Sequence, residues 1–139
     1  MTPSKAPLPL FGTWKLSKCE TSRPDLPHPT SGITKFTQKG DAIDYSNDAG
    51  WSDGRTAKVT ALLKLDGSWC PVTGSMVADS LSLQDQAADG SFVVKIRKGG
   101  ADVGSTRSTF SADGRTMTGY WTLAAPGGTM TWTTTLERQ

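Results

Sequence analysis

Apolar and polar residues alternate with a period of two along most of this chain, the pattern of half-buried strands rather than of an amphipathic helix. The closing segments are clearest. Met130, Trp132, Thr134 and Leu136 alternate with Thr129, Thr131, Thr133 and Thr135; before them, Met117, Gly119, Trp121 and Leu123 alternate with Thr118, Tyr120, Thr122 and Ala124. Ala57, Val59, Ala61, Leu63 and Leu65 share one parity further upstream. The pattern predicts ten strands, over about 11–18, 32–39, 42–48, 55–65, 68–73, 77–84, 91–98, 102–111, 116–124 and 129–138. No stretch carries a capped helical stripe. The nearest, 80–88, alternates Leu81 with Leu83 and reads as a strand and a loop.

Asp-Gly pairs at 53–54, 66–67, 89–90 and 113–114 separate these segments. Glycine accepts the positive φ of a tight hairpin turn, so each pair marks a reversal between antiparallel strands. Most links after the second strand span about two to five residues, too short for βαβ crossovers. A meander of this kind leaves two sheet edges, and closing into a barrel removes both. The expected fold is therefore all-β: a single antiparallel meander barrel of about eight to ten strands over residues 10–139, behind a proline-rich lead at 1–9. A two-sheet sandwich is the alternative, although its Greek-key links usually need longer crossings.

At 139 residues the chain is long enough to bury a core without metals or disulfide staples. Fifteen basic and thirteen acidic side chains give a net charge of +2, and only Arg97-Lys98 are adjacent basic residues. That footprint is too thin for a nucleic-acid partner. No apolar run is long enough for a spanning helix, so no membrane partner is expected either. The opening from Met1 to Phe11 has three prolines and no apolar helical core, so it does not read as a signal peptide. A cytoplasmic location is expected, with a secreted or periplasmic one if a removed signal segment preceded this sequence.

Cys19 and Cys70 permit one bridge, but their spacing does not demand it, and free thiols are the expectation. With His28 alone beside them, no metal site and no cofactor are expected. His28 lies between Pro27 and Pro29 in a loop and is read as exposed, its acid–base chemistry unused. There is no Gly-x-Ser-x-Gly elbow, phosphate loop or zinc-protease helix. Asp53-Gly54-Arg55-Thr56 and Asp113-Gly114-Arg115-Thr116 match, and turn chemistry accounts for the match.

Gly12-Thr13-Trp14, at the start of the first strand, resembles the Gly-x-Trp signature of the calycins, the superfamily of lipocalins and fatty-acid-binding proteins. In those folds the tryptophan plugs one barrel end and a basic residue of the last strand often packs across its ring. The resemblance implies these roles for Trp14 and Arg138. Trp14-Lys15-Leu16, the segment Trp69-Cys70-Pro71-Val72-Thr73-Gly74 and the closing Leu136-Glu137-Arg138 also look like small bacterial lipocalin-like proteins of uncharacterised function. Two departures matter. Thr21–Pro29 is too proline-rich for the helix of a fatty-acid-binding protein, and Thr133-Thr134-Thr135 stand near where such proteins carry a carboxylate-gripping Arg-x-Tyr pair.

Barrels of this size can enclose a small cavity. The expected partner is a small apolar or amphipathic molecule, with a carboxylate or carbonyl as its polar end, bound by a monomer or weak homodimer. The candidate binding residues are Tyr45, Arg107, Tyr120, Trp121 and Trp132, which combine aromatic area with a few hydrogen-bonding tips. Tyr120 and Trp121 cannot both face inward, and Met117 and Leu123 favour Trp121. Ile33 and Ile43, if they mark one face, would take Lys35 and Tyr45 with them. Arg107 would anchor an anion or carbonyl if its parity faces inward. Asp44 and Asp79 are weaker acidic candidates, and Trp51 reads as a lid or mouth contact. Two other functions stay open: a non-metal isomerase or cyclase using the same cavity, and a filled barrel that binds proteins or serves as structure.

Overall fold

The computed structural model describes residues 9–139, so all but Pro9 of the proline-rich lead lies outside the described residues. Ten strands follow in chain order: β1 (Gly12–Thr21), β2 (Pro29–Lys39), β3 (Ala42–Trp51), β4 (Thr56–Leu63), β5 (Trp69–Thr73), β6 (Ser80–Leu83), β7 (Phe92–Lys98), β8 (Ala101–Phe110), β9 (Thr116–Ala125) and β10 (Gly128–Arg138). All neighbouring pairs run antiparallel, and β1 pairs with both β2 and β10, so the sheet closes. No two-sheet sandwich forms. Among the described residues there is no helix, and so none long and apolar enough to cross a membrane.

The first link is shorter than its prolines imply. β1 continues through Cys19 to Thr21, leaving residues 22–28 as the loop. The four Asp-Gly turns share one device. In each, the glycine has a positive φ of 70–88°, and the aspartate Oδ1 accepts from the backbone N–H two residues on, at Arg55, Ser68, Ser91 or Arg115. The carboxylate thereby satisfies a donor that the reversal would otherwise leave free. This explains the repeated Asp-Gly-Arg-Thr without any duplication of the chain.

A meander alternates its links between the two barrel ends. One end holds the start of β1 and the end of β10 and is shut. Trp14 is fully buried there, packed with Met117 and Leu136, and its Nε1 donates to the Leu10 carbonyl at 3.0 Å. Arg138 places its guanidinium carbon 4.3 Å from the Trp14 ring centroid, in the cation–π arrangement. A second cluster, with Ile43, Leu63, Leu83 and Phe92, fills the adjoining part of the interior. The other end carries the 22–28 loop, the β3–β4 turn and the link between β5 and β6. The wall there is tied by bonds from Ser52 N to His28 O at 2.8 Å and from Arg23 Nη1 to Pro126 O at 3.1 Å.

Candidate functional site

Between the plugged end and these loops lies an interior cavity of about 170 Å³. Its wall comes from the inward parity of successive strands: Thr34 and Phe36 of β2, Tyr45 and Asn47 of β3, Ala57 and Val59 of β4, Thr106 and Ser108 of β8, Trp121 of β9, and Trp132 and Thr134 of β10. The link between β5 and β6 contributes Met76, Val77 and Ala78 at the loop end. Ser75 Oγ accepts from the N–H groups of Val77 and Ala78, both at 3.1 Å, which fixes the turn within this segment.

Three tryptophans form the aromatic side of the cavity. Trp132 sits between the other two, its ring centroid 5.8 Å from Trp121 and 5.6 Å from Trp51. Register explains the row. Thr106 of β8 lies opposite Trp121, and Trp121 lies opposite Trp132, so one line of inward side chains crosses three strands. Trp51 joins from the far end of β3. It is the mouth-side aromatic that its position suggested, but it stands at the end of a strand and packs edge-on against Trp132 rather than riding on a turn.

Hydrogen bonding within the wall is incomplete. Asn47 Nδ2 donates to Thr34 Oγ1 at 2.7 Å, and Trp121 Nε1 donates to Thr134 Oγ1 at 3.3 Å. By contrast, Trp51 Nε1, Trp132 Nε1 and Thr106 Oγ1 are buried with no partner among the described residues. Tyr45 packs on Phe36 with ring centroids 5.1 Å apart, and burial pushes its phenol up to about 12. Among the described residues it is the only side chain in the lining that titrates; none of their Asp, Glu, His, Lys or Arg side chains lines the cavity.

Of the five candidate residues, Tyr45, Trp121 and Trp132 face this cavity. Tyr120 and Arg107 do not. Tyr120 is 48% exposed on the outer face, and Arg107, opposite it in the β8–β9 register, is half exposed and pairs with Asp89 at 2.8 Å. The polar anchor expected of Arg107 is therefore absent. Asp89 is held well below the usual carboxylate range, first by hydrogen bonds from Ser91 and then by Arg107. The shared face proposed for Ile33 and Ile43 also fails. Ile33 and Lys35 point outward, because Phe36 lies opposite the inward Tyr45 and Thr34 opposite Asn47. Asp44 is exposed, and Asp79 accepts from the Gly99 N–H on the outer wall.

His28 is half-buried in its loop, with Nδ1 2.9 Å from the Leu26 carbonyl, and is not part of the cavity lining. Both cysteines are free. Cys70 is buried beside Leu83 and Phe92, whereas Cys19 packs near Met130 and Trp132 in a different cluster. Burial first, and the Glu20 carboxylate second, push the Cys19 thiol up to about 11. Among the described residues, no group of three or more His, Cys, Asp and Glu side chains is placed to hold a metal ion.

Several solved structures share this architecture. An S-type phycobiliprotein lyase, CPES from Guillardia theta, superposes with a TM-score of 0.61 at 14% identity, over 94% of this chain and 89% of that one. Zebrafish ileal bile acid-binding protein complexed with cholic acid superposes with a TM-score of 0.55 at 12% identity, over 94% of this chain and 99% of that one. The fold is a calycin-like ten-strand barrel. EF1p2_mFAP2b bound to DFHBI is a further calycin-like barrel, with a TM-score of 0.56 at 14% identity over 94% of each chain. No family model matches the sequence, and no curated protein matches it. The likeness thus lies in the barrel fold alone, at identities too low to carry residue roles across.

Proposed function

We propose that this calycin barrel binds a compact, largely apolar small molecule in its interior. The observation that carries the reading is the cavity of about 170 Å³ walled by Trp51, Trp121 and Trp132. A packed structural barrel would have closed over that space, since a cavity of this size leaves its lining without contacts and costs stability. Three barrels of similar fold carry, or by name act on, small molecules or chromoproteins: cholic acid, DFHBI and a phycobiliprotein.

Binding is favoured over isomerase or cyclase chemistry by the lining. General acid–base catalysis needs a group whose pKa lies near the working pH. Tyr45, at about 12, is far from that, and among the described residues no other lining side chain titrates. A monomer or weak homodimer suffices, because the cavity is completed by one chain. Two unbridged cysteines support a reducing, cytoplasmic setting.

The test uses naphthalene as an apolar probe of suitable size. Binding to the native state should raise the melting temperature with probe concentration. Arg107→Ala should bind as the parent does, because Arg107 lies outside the barrel. Ala57→Leu, which extends a lining side chain into the cavity, should fold and lose the probe. A melting temperature unmoved by naphthalene, or undiminished binding by the leucine variant, counts against the interior site.

A further inference from the structure

We infer that the ligand of this cavity is an uncharged, planar molecule that presents hydrogen-bond acceptors to the indole N–H groups of Trp51 and Trp132 and to the Thr106 hydroxyl. This rests on the interior-binding reading and specifies its chemistry.

Three buried polar atoms, Trp51 Nε1, Trp132 Nε1 and Thr106 Oγ1, have no hydrogen-bond partner among the described residues. All three side chains line the cavity, and Trp132 and Thr106 are only 2% and 6% exposed. Leaving a buried donor unpaired is costly, and a few unpaired groups gathered around one cavity mark a place where a ligand completes the bonding. Trp121 supplies the internal contrast. It stands between Thr106 and Trp132 in the same row, yet its N–H is already taken by Thr134.

Indole N–H groups donate and never accept. Trp51 and Trp132 therefore call for acceptors such as a carbonyl oxygen or a ring nitrogen. A carboxylate is also an acceptor, but among the described residues no lysine, arginine or histidine lines the cavity to offset its charge. Burying an unpaired anion is far more costly than burying a carbonyl. This reverses the sequence-based expectation of an anionic ligand held by Arg107, while keeping its carbonyl alternative.

Size and shape narrow the class further. A dry cavity of about 150 Å³ accommodates benzene. The space here is about 170 Å³, which suits one or two fused rings and not a steroid-sized acid. Trp121 and Trp132, with rings inclined at 50°, and Trp51, at 71° to Trp132, offer aromatic faces and edges to a flat ring system.

Three bicyclic aromatic probes test this by calorimetric titration of the full chain: naphthalene, coumarin and 2-naphthoate. Coumarin should bind about tenfold more tightly than naphthalene, the effect of one or two net hydrogen bonds. 2-Naphthoate should bind most weakly of the three. Trp132→Phe and Thr106→Val remove a polar group and leave an apolar one. Each should cut coumarin's advantage over naphthalene by about fivefold, since lost apolar contact weakens both probes alike and leaves that ratio unmoved; a cooperative melting transition shows that each variant folds. If naphthalene binds as well as coumarin, or 2-naphthoate binds best, the inference is overturned while the interior site stands. If none of the three binds, both readings fall.

Discussion

The Arg138 guanidinium fills the space in which a side chain on Gly12 would begin. A Cβ on Gly12 would lie 2.5 Å from Arg138 Nη1, and Gly12 has a φ of +129° that other residues rarely adopt. Arg138 is held there by donating to the carbonyls of Phe11 at 2.6 Å, Pro9 at 2.7 Å and Gly114 at 2.9 Å, with its carbon over the Trp14 ring. The Gly-x-Trp signature is thus half of a three-residue lock. Glycine admits the arginine, and the arginine covers the tryptophan that closes the barrel.

Trp14→Ala is expected to lower unfolding stability by about 3–5 kcal/mol, the usual range for truncating a buried aromatic. Gly12→Ala should cost about 1–3 kcal/mol through backbone strain and the clash with Arg138. Urea denaturation of Gly12→Ala, Arg138→Ala and the double variant separates these causes. The alanine at position 12 should cost less once Arg138 is removed, with a coupling of about 0.5–2 kcal/mol. Strictly additive losses would show that the two residues do not share this space.

Tyr45 makes stability depend on alkaline pH. Its phenol sits at about 12 in the folded chain against an ordinary 10.0, because burial disfavours the phenolate. Between these values the unfolded chain loses the proton and the native chain keeps it. The contribution is therefore intact below pH 10 and is lost as pH rises from 10 towards 12, by about 2–3 kcal/mol at most. Urea midpoints of the parent and Tyr45→Phe should converge or cross over this window, with the steeper decline in the parent. Parallel curves would place the phenol in water.

The thiols should label only when the chain opens. Cys70 is buried and Cys19, at about 11, carries little thiolate near neutrality. Iodoacetamide without reductant should modify both cysteines rapidly in denaturant and slowly in the native protein. An unlabelled product two daltons light would reveal a bridge that the two separate clusters do not form.

Strand periodicity by itself determined the ten strands and the inward faces of β4, β9 and β10. Val59, Leu63, Met117, Leu123, Met130 and Trp132 are buried as their alternation requires, because a strand offers only two faces and water rejects one of them. The Asp-Gly turns were equally local, since φ and a neighbouring carboxylate suffice to make them. β2 and β8 were not legible in this way. Ile33 is apolar yet faces outward, and small polar residues occupy both faces of β8, so neither strand's own sequence states its phase. Pairing decides it: Thr106 lies opposite Trp121 and turns inward, which sends Arg107 outward with Tyr120. The cavity and its unpaired donors belong wholly to the tertiary structure. Closure of the barrel brings Trp51 from the end of β3 against Trp132 of β10, and no local pattern in either strand specifies that meeting.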